Sequence, residues 1–431
     1  MRKRTVTTAW MLGLMVAGAA WAGLPTRDMA HQPGGEEAAA VDASVYASLQ
    51  EALDALPDSG GVLSLPPGRY EVMKPVVCRR GDVAIRGAGT ATHIANTNTE
   101  GKPAFHFLPP EGEKSIWRVH LCDFRVTGNP ESGSGILAEK VDELLISRVS
   151  AEHNGGDGIT LDHCLEDARV CDSLMTYNAR TGLNLLGCHD IVVSANQFEE
   201  NQDALHCIRG YNLTMTGNNL DDHLGDGVII ESTYGSVVAS NMIEECNGHA
   251  IVLRGACYGD AISANTLAHC RGDGVRLEGV RDITISANTF VLLRQEGVHA
   301  RDGAARLTIS ANTFCRYPFH PDKRRKEDPG GGVRLEGAHD VTISGNSFYD
   351  TRREAVWADG ARLNITGNTI VDPGWEMDEP CAAIALMRDA VSLVVNNIIT
   401  YSGARPARAL VVPADSAGIT LQNNIVSKAG G

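Results

Sequence analysis

No CxxC pair and no HExxH motif occurs in the 431 residues, which argues against a dedicated zinc site. Excess positive charge is missing too. The formal net charge is −15, which argues against nucleic acid as a partner. Past residue 22, no apolar run approaches the roughly 20 residues that a membrane span requires. The first cysteine is Cys78, so no lipid-attachment cysteine follows the N-terminal segment.

What is present begins with MRKRTVTTAWMLGLMVAGAAWAG. Three basic residues, Arg2, Lys3 and Arg4, precede an apolar stretch, and Ala20-Trp21-Ala22 fits a small-x-small cleavage site. Residues 1–22 are therefore expected to be a signal peptide cut after Ala22. The mature chain is expected to be secreted or periplasmic, without a membrane span, and monomeric. Residues 23–42 are low in large apolar side chains and are expected to be a flexible spacer. A capping helix is expected within 43–60: Ser48 and Glu51 have capping-box spacing, and Leu49, Leu53 and Leu56 share one face. Short β-type runs follow to about residue 426, leaving a tail at 427–431.

The β-type region repeats itself. VRLEGVRDITISANTF at 275 returns at 333 as VRLEGAHDVTISGNSF. Aligning every such segment puts an asparagine at 196, 218, 241, 265, 288, 312, 346 and 368. The slot is expected at Asp123, Arg148 and Asp172 upstream, and near Asn396 and Asn423 downstream. The spacing is 22–25 residues except between 312 and 346, where an insertion of about ten residues enters. Units of this length hold short alternating strands and lack the LxxLxLxxN pattern of leucine-rich repeats. A propeller blade would need roughly 40 residues. The pattern predicts an all-β single-stranded right-handed parallel β-helix of about 13 coils spanning 61–426. Its asparagines would form a ladder along one turn, and the N-terminal helix would cover the open strand edge.

The opening DASVYASLQEALDALPDSGGVLSLPPGRYEV, with VVCRRGDVAIRGAGTAT after it, resembles the start of the pectate-lyase-like superfamily. The repeat N-x-F…G-[DE]-G-[IV]-x-L-x-G…D-[IV]-T-I-S is similar to that superfamily's right-handed β-helix repeat. The resemblance covers about residues 43–426. It implies the β-helix fold, with a substrate groove along one sheet. It leaves activity open, because the fold hosts lyases, hydrolases, epimerases and proteins without catalysis.

Strand alternation identifies the residues facing out of that sheet. One outward column reads Thr160, Asn184, His206, Ile229, Val252, Arg276, His299, Arg334, Trp357. The next reads Asp162, Leu186, Ile208, Glu231, Arg254, Glu278, Arg301, Glu336, Asp359. The second alternates in sign and is expected to neutralise itself as a salt-bridge ladder. The first carries Arg276, His299 and Arg334 on successive coils, an arrangement that favours an anion lying across it. The insertion at 315–331 adds Lys323, Arg324 and Arg325 beside this face, and Trp357 offers a flat platform for a sugar ring. The expected partner is an acidic, uronate-containing polysaccharide or oligosaccharide. The expected chemistry is removal of the C5 proton, followed by elimination or epimerisation. His299 is the candidate base, expected to have a depressed pKa between two guanidiniums. Arg276 and Arg334 would hold the carboxylate, with Arg254, Arg301 and His206 as further contacts.

Two other readings stay open. A glycoside hydrolase needs paired carboxylates. NQDAL at 201–205 has one aspartate where polygalacturonase-like enzymes carry two, and GHA at 248–250 lies two coils on. A non-catalytic carbohydrate-binding or periplasmic β-helix protein is the third reading. Asp203, Asp226 and Glu231 form a candidate calcium set, although aspartate beside glycine is ordinary turn chemistry. Of the eleven cysteines, Cys164 with Cys188 and Cys246 with Cys270 fall on adjacent coils within disulfide reach. The other reading of these is buried thiols acting as small apolar residues.

Overall fold

The computed structural model describes residues 39–315, 331–374, 381–388, 390–402, 408–414 and 416–428. The leader and most of the spacer, the loop residues Lys323, Arg324 and Arg325, and the last three residues of the tail lie outside the described residues. Strands of three to five residues dominate. Each pairs in parallel with a strand one repeat away, for example Val275–Glu278 with Ile251–Arg254 on one side and Val298–Arg301 on the other. Among the described residues, forty-one strands join one continuous sheet, and a separate pair is made by Ile116–Trp117 and Val141–Asp142. The chain is an all-β, right-handed parallel solenoid of about 15 turns, against the expected 13. No helix among the described residues is long and apolar enough to cross a membrane.

The spacer ends earlier than its composition suggested. Ala39–Asp42 form a strand paired with Gly61–Ser64, the first rung of the stack. Within the expected capping segment, a 3-10 turn at Ala43–Val45 precedes the helix Leu49–Asp54. The Ser48 side chain accepts the Glu51 amide, as capping-box spacing requires. Leu49, Leu53 and Leu56 are all buried. At the other end Ser427 and Lys428, assigned to the tail, belong to the strand Ile425–Lys428.

The asparagine ladder is continuous from Asn196 to Asn424. At each rung Oδ1 accepts both the backbone N–H and the side-chain amide of the preceding rung's asparagine. Asn288, for example, donates to Asn312 Oδ1 through its backbone N at 2.9 Å and through Nδ2 at 3.1 Å. Its Nδ2 also donates to Ile262 O at 3.0 Å. The downstream members are Asn397 and Asn424, one place beyond the expected Asn396 and Asn423. Upstream the same slot holds Ser173, which donates its N–H to Asn196. Asp123, Arg148 and Asp172 occupy the position before it. That position has positive φ throughout: 54–67° at residues preceding the ten ladder asparagines, and 63°, 54° and 50° at the three upstream residues. Such a φ is disfavoured for a residue with a Cβ, yet alanine, serine or glycine recurs there. The asparagine bonds on the next residue hold the bend.

Beneath the ladder the core is filled by like residues in register. Phe290, Phe314 and Phe348 stack with ring centroids 4.6 Å apart at both steps. All eleven cysteines are free thiols, and Cys164, Cys188, Cys246 and Cys270 are buried. Burial pushes Cys207 up to about 12 and Cys257 to about 11.

Replacing Asn288 by alanine strands the two Asn265 donors and the Ile262 carbonyl in a buried turn. Asn288→Ala is expected to lower the unfolding free energy by about 3 kcal/mol. Thr284→Ala, on the exposed face of the same coil, should stay within about 0.5 kcal/mol. Urea unfolding of both variants checks the contrast.

Candidate functional site

The first outward column is present in register. Val252, Arg276, His299, Arg334 and Trp357 pair strand to strand over five successive coils. Further back, Thr160, Asn184, His206, Ile229 and Val252 continue it. What the charges do there differs from expectation.

The two arginines are already neutralised. Arg276 donates through Nε to Glu278 Oε1 at 2.9 Å and through Nη1 to Asp273 Oδ2 at 2.9 Å. Arg334 donates through Nε to Glu336 Oε1 at 2.7 Å, and its guanidinium carbon lies 4.0 Å from the centroid of the Trp357 ring. One face of the expected sugar platform is thus occupied by a guanidinium. His299 corrects the expectation most directly. Its Nδ1 is 3.3 Å from Asp273 Oδ2, and its Nε2 lies 3.3 Å from Glu336 Oε2 without hydrogen-bond geometry. Burial alone would lower its pKa, but the two carboxylates outweigh burial and Arg276 together, so the value is raised rather than depressed.

The second column is not a ladder. Among the described residues, only Glu231 and Arg254 pair along it, at 2.8 Å. Arg301 turns to its own neighbour Asp302, while Glu278 and Glu336 turn sideways onto the first column. The reason is reach: an outward arginine has a carboxylate two residues along its own strand, on the same face. His206 lies five coils before Arg334, with Nε2 3.7 Å from Glu231, and burial lowers its pKa.

The organising residue is one that the sequence pattern had assigned to turn chemistry. The Asp273 carboxylate is wholly buried and receives Arg276, His299 and, at 2.9 Å, the Glu296 backbone N–H. Its own N–H donates to His249 Nδ1 at 2.8 Å. Burial pushes Asp273 upward, yet the hydrogen bonds from His299 and Arg276 bring it below its ordinary value. Asp273, Glu296, His299, Arg334, Arg353 and their neighbours line a cleft of about 370 Å³, which also takes in Arg294 and Arg352. Glu296 is pushed the other way from Asp273: burial and the adjacent Asp273 charge raise it. Asp273, Glu296, Arg352 and Arg353 were missed as site residues. The available signal was the spacing of Asp273 and Arg276, three apart across a small turn.

The same turn explains the calcium set. Asp203 accepts the Asp226 N–H at 2.7 Å, and Asp226 accepts the His249 N–H at 2.6 Å. These carboxylates cap the amides of the next coil, and Asp203, Asp226 and Glu231 do not converge. Among the described residues, the acidic and sulfur or imidazole ligands that gather within reach of one ion are Asp221, Asp222 and Glu245.

Residues 256–426 match the family model for the right handed beta helix region. The chain has the right-handed parallel β-helix fold. Residues 122–298 match the model described as periplasmic copper-binding protein (NosD). No curated protein matches. Among solved structures, the A-module of Azotobacter vinelandii mannuronan C-5 epimerase AlgE4 superposes with a TM-score of 0.50 at 16% identity, covering 88% of this chain and 99% of that one. The catalytic domain of a GH87 alpha-1,3-glucanase, solved with nigerose, gives 0.50 at 12% identity, covering 90% and 69%. ORF18 of Geobacillus virus E2 gives 0.49 at 14% identity over 74% of this chain, which spans 61% of its length. At these identities the likeness is one of fold.

Copper, named in one of those descriptions, prefers imidazole and thiolate ligands. The convergent group here is all carboxylate, and the thiols of this β-helix are mostly buried with raised pKa values. The described residues do not fit a copper centre.

The network fixes a pH window. His299 binds its proton more tightly folded than unfolded. Its stabilisation is therefore complete below its ordinary value of 6.5 and is lost as pH rises through the raised one. Asp273 and Glu336 are lowered, so theirs is complete above 3.8 and 4.5 and is lost as pH falls. Urea unfolding across pH should show the network's contribution at its largest between those limits. Asp273→Asn should flatten that dependence, lower the His299 pKa read by NMR titration, and cost about 3 kcal/mol.

Proposed function

We propose that this β-helix acts on an acidic glycan in the cleft beside Asp273, with His299 and Asp273 as the proton-transfer pair. The observation that carries this reading is a half-buried imidazole, bonded on one nitrogen to a fully buried carboxylate, in a cleft lined by arginines. A general base held in one orientation by a third group is how enzymes prepare a proton acceptor. The anion of the substrate would be held by Arg334 and Arg353. Among the described residues Arg353 has no ion-pair partner, and Arg334 can exchange the part-exposed Glu336 for a sugar carboxylate. Arg276, 14% exposed and bound by two carboxylates, keeps Asp273 and His299 in place and does not contact substrate.

With a uronate in that position, neutral His299 would take the C5 proton. Elimination then yields an unsaturated end; reprotonation from the opposite face yields the epimer. The solved likenesses include proteins titled an epimerase and a glucanase, which supports carbohydrate as the substrate class.

One observation favours hydrolysis as a second reading. Glu296, raised, and Asp273, lowered, share the cleft, and a protonated carboxyl beside an ionised one is the requirement for glycosidic cleavage.

The two readings have opposite pH signs. A His299 base gains activity as pH rises through its raised pKa; a Glu296 acid loses activity as pH rises through its own. Purified protein is to be incubated with alginate, pectate and glycosaminoglycans. Ultraviolet absorbance of an unsaturated product, or proton exchange at C5 by NMR, is the expected result. Both should fall by about 100-fold or more in His299→Ala. New reducing ends without that absorbance would move the assignment to hydrolysis. No turnover on any of the three polymers would leave a binding protein.

A further inference from the structure

A neutral imidazole between two guanidiniums, the arrangement expected around His299, does exist in this chain, near its N-terminal end. Arg69 in the strand Gly68–Val72 pairs in register with His93 in Thr92–Asn96. His93 in turn pairs with Arg125 in Val119–Thr127. Side chains alternate in these strands, and the flanking Ile94, Phe124 and Val126 are buried, so the three polar residues share the outer face. The next strand on this face is Leu145–Glu152, a different strand column from the one carrying the cleft.

The hydrogen bonds fix the charges. Arg69 Nη1 lies 3.4 Å and Arg125 Nη2 lies 3.3 Å from the same atom, His93 Nδ1. A guanidinium only donates, so Nδ1 is the acceptor and the ring proton sits on Nε2, which donates to Thr127 Oγ1 at 2.8 Å. The imidazole is therefore neutral with two cations converging on it. Burial and then the charges of Arg125 and Arg69 depress its pKa, and Glu152 opposes them weakly. Glu152 is itself engaged by the Ser150 hydroxyl.

The neighbouring carboxylates do not cancel this charge. Glu71 is 3.4 Å from Arg69 Nε, but both side chains are more than half exposed, and such pairs are worth little in water. Arg125 forms no ion pair among the described residues, and its Nε is buried without a partner. An unsatisfied buried donor on a cation, with a second cation nearby, is a cost that an oxyanion would remove.

We propose that Arg69, His93 and Arg125 form a second binding site, for an oxyanion of the carboxylate or phosphate type, separate from the cleft at Asp273. The guanidiniums would share the oxyanion, and His93 is the spacer that keeps them parallel without adding charge. The proposal stands whether or not the cleft is catalytic, because it uses none of the cleft residues.

The test is NMR of the histidine rings in the full chain at neutral pH, with the His93 signals assigned by their loss in His93→Gln. Inorganic phosphate and an oligomer of a uronic acid are titrated separately, with sodium chloride at matched ionic strength as reference. The expected result is a saturable shift of His93 with at least one of the two anions. Arg125→Gln should weaken it about tenfold or more, and Arg334→Gln should leave it unchanged. Response to phosphate alone assigns the site to a free anion; response to the oligomer assigns it to a glycan carboxylate. A shift that merely follows ionic strength, or one that survives Arg125→Gln, overturns the proposal. Thermal unfolding verifies that Arg125→Gln is folded, and the more exposed Arg69→Gln provides an independent variant with the same expected weakening.

Discussion

Every feature of this molecule depends on the parallel stacking of one coil on the next in strict register. A parallel rung leaves each coil's turns directly above the previous ones, and buried turn groups must then be satisfied from above and below. Asparagine does this with one side chain: Oδ1 takes two donors from one side while Nδ2 reaches the other. The smaller series, Asn154 to Asn178 to Asn201 and the carboxylate series through Asp203, Asp226 and Asp273, solve the same problem at other turns. Stacking therefore dictates which residue types recur, and the recurrence is what makes the repeat visible.

The same geometry produces and then limits the chemistry. Register brings residues 22 or more positions apart into adjacent outward places, so that an arginine and a histidine can meet with no special local design. Alternation also puts the residue two along each strand on the same face, and beside Arg276 and Arg334 that residue is a glutamate. At Arg276 and Arg334 that second effect wins, and the pair Glu278 and Glu336 draws off the charge. At Arg125 the place two along is Thr127, which has no charge to offer, and the guanidinium is left without a counter-ion. One difference of residue type at an equivalent place separates a neutral network from one with an unpaired guanidinium among the described residues.

Buried charge in the cleft has a different origin. Asp273 is wholly buried and ionised because three kinds of donor converge on it: a guanidinium, an imidazole and a backbone amide. Desolvation of such a group is costly unless each lone pair is occupied. The result is a stiff cluster in which His299 and Glu296 titrate in shifted ranges, which is the property that a proton-transfer site needs.

The sequence by itself determined the coil, because its period, its alternation and its turn residues are local patterns that each coil must repeat. The outward column from Thr160 to Trp357 was legible for the same reason, as were the Ser48 cap and the ladder from Asn196 to Asn368. Its offset by one at Asn397 and Asn424, and at Ser173 upstream, was not. The positive-φ residue and the ladder residue are neighbours of similar composition, and only the hydrogen bonds separate them. What the tertiary structure alone decided is which charge meets which. A long arginine side chain can turn along its strand, across to the next coil or back to the preceding turn. These choices differ by small energies set by burial, which no linear pattern records. That freedom is why the ladder expected at Glu278 and Arg301 dissolved, why Asp273 became the centre of the cleft, and why Arg125 has no carboxylate partner among the described residues.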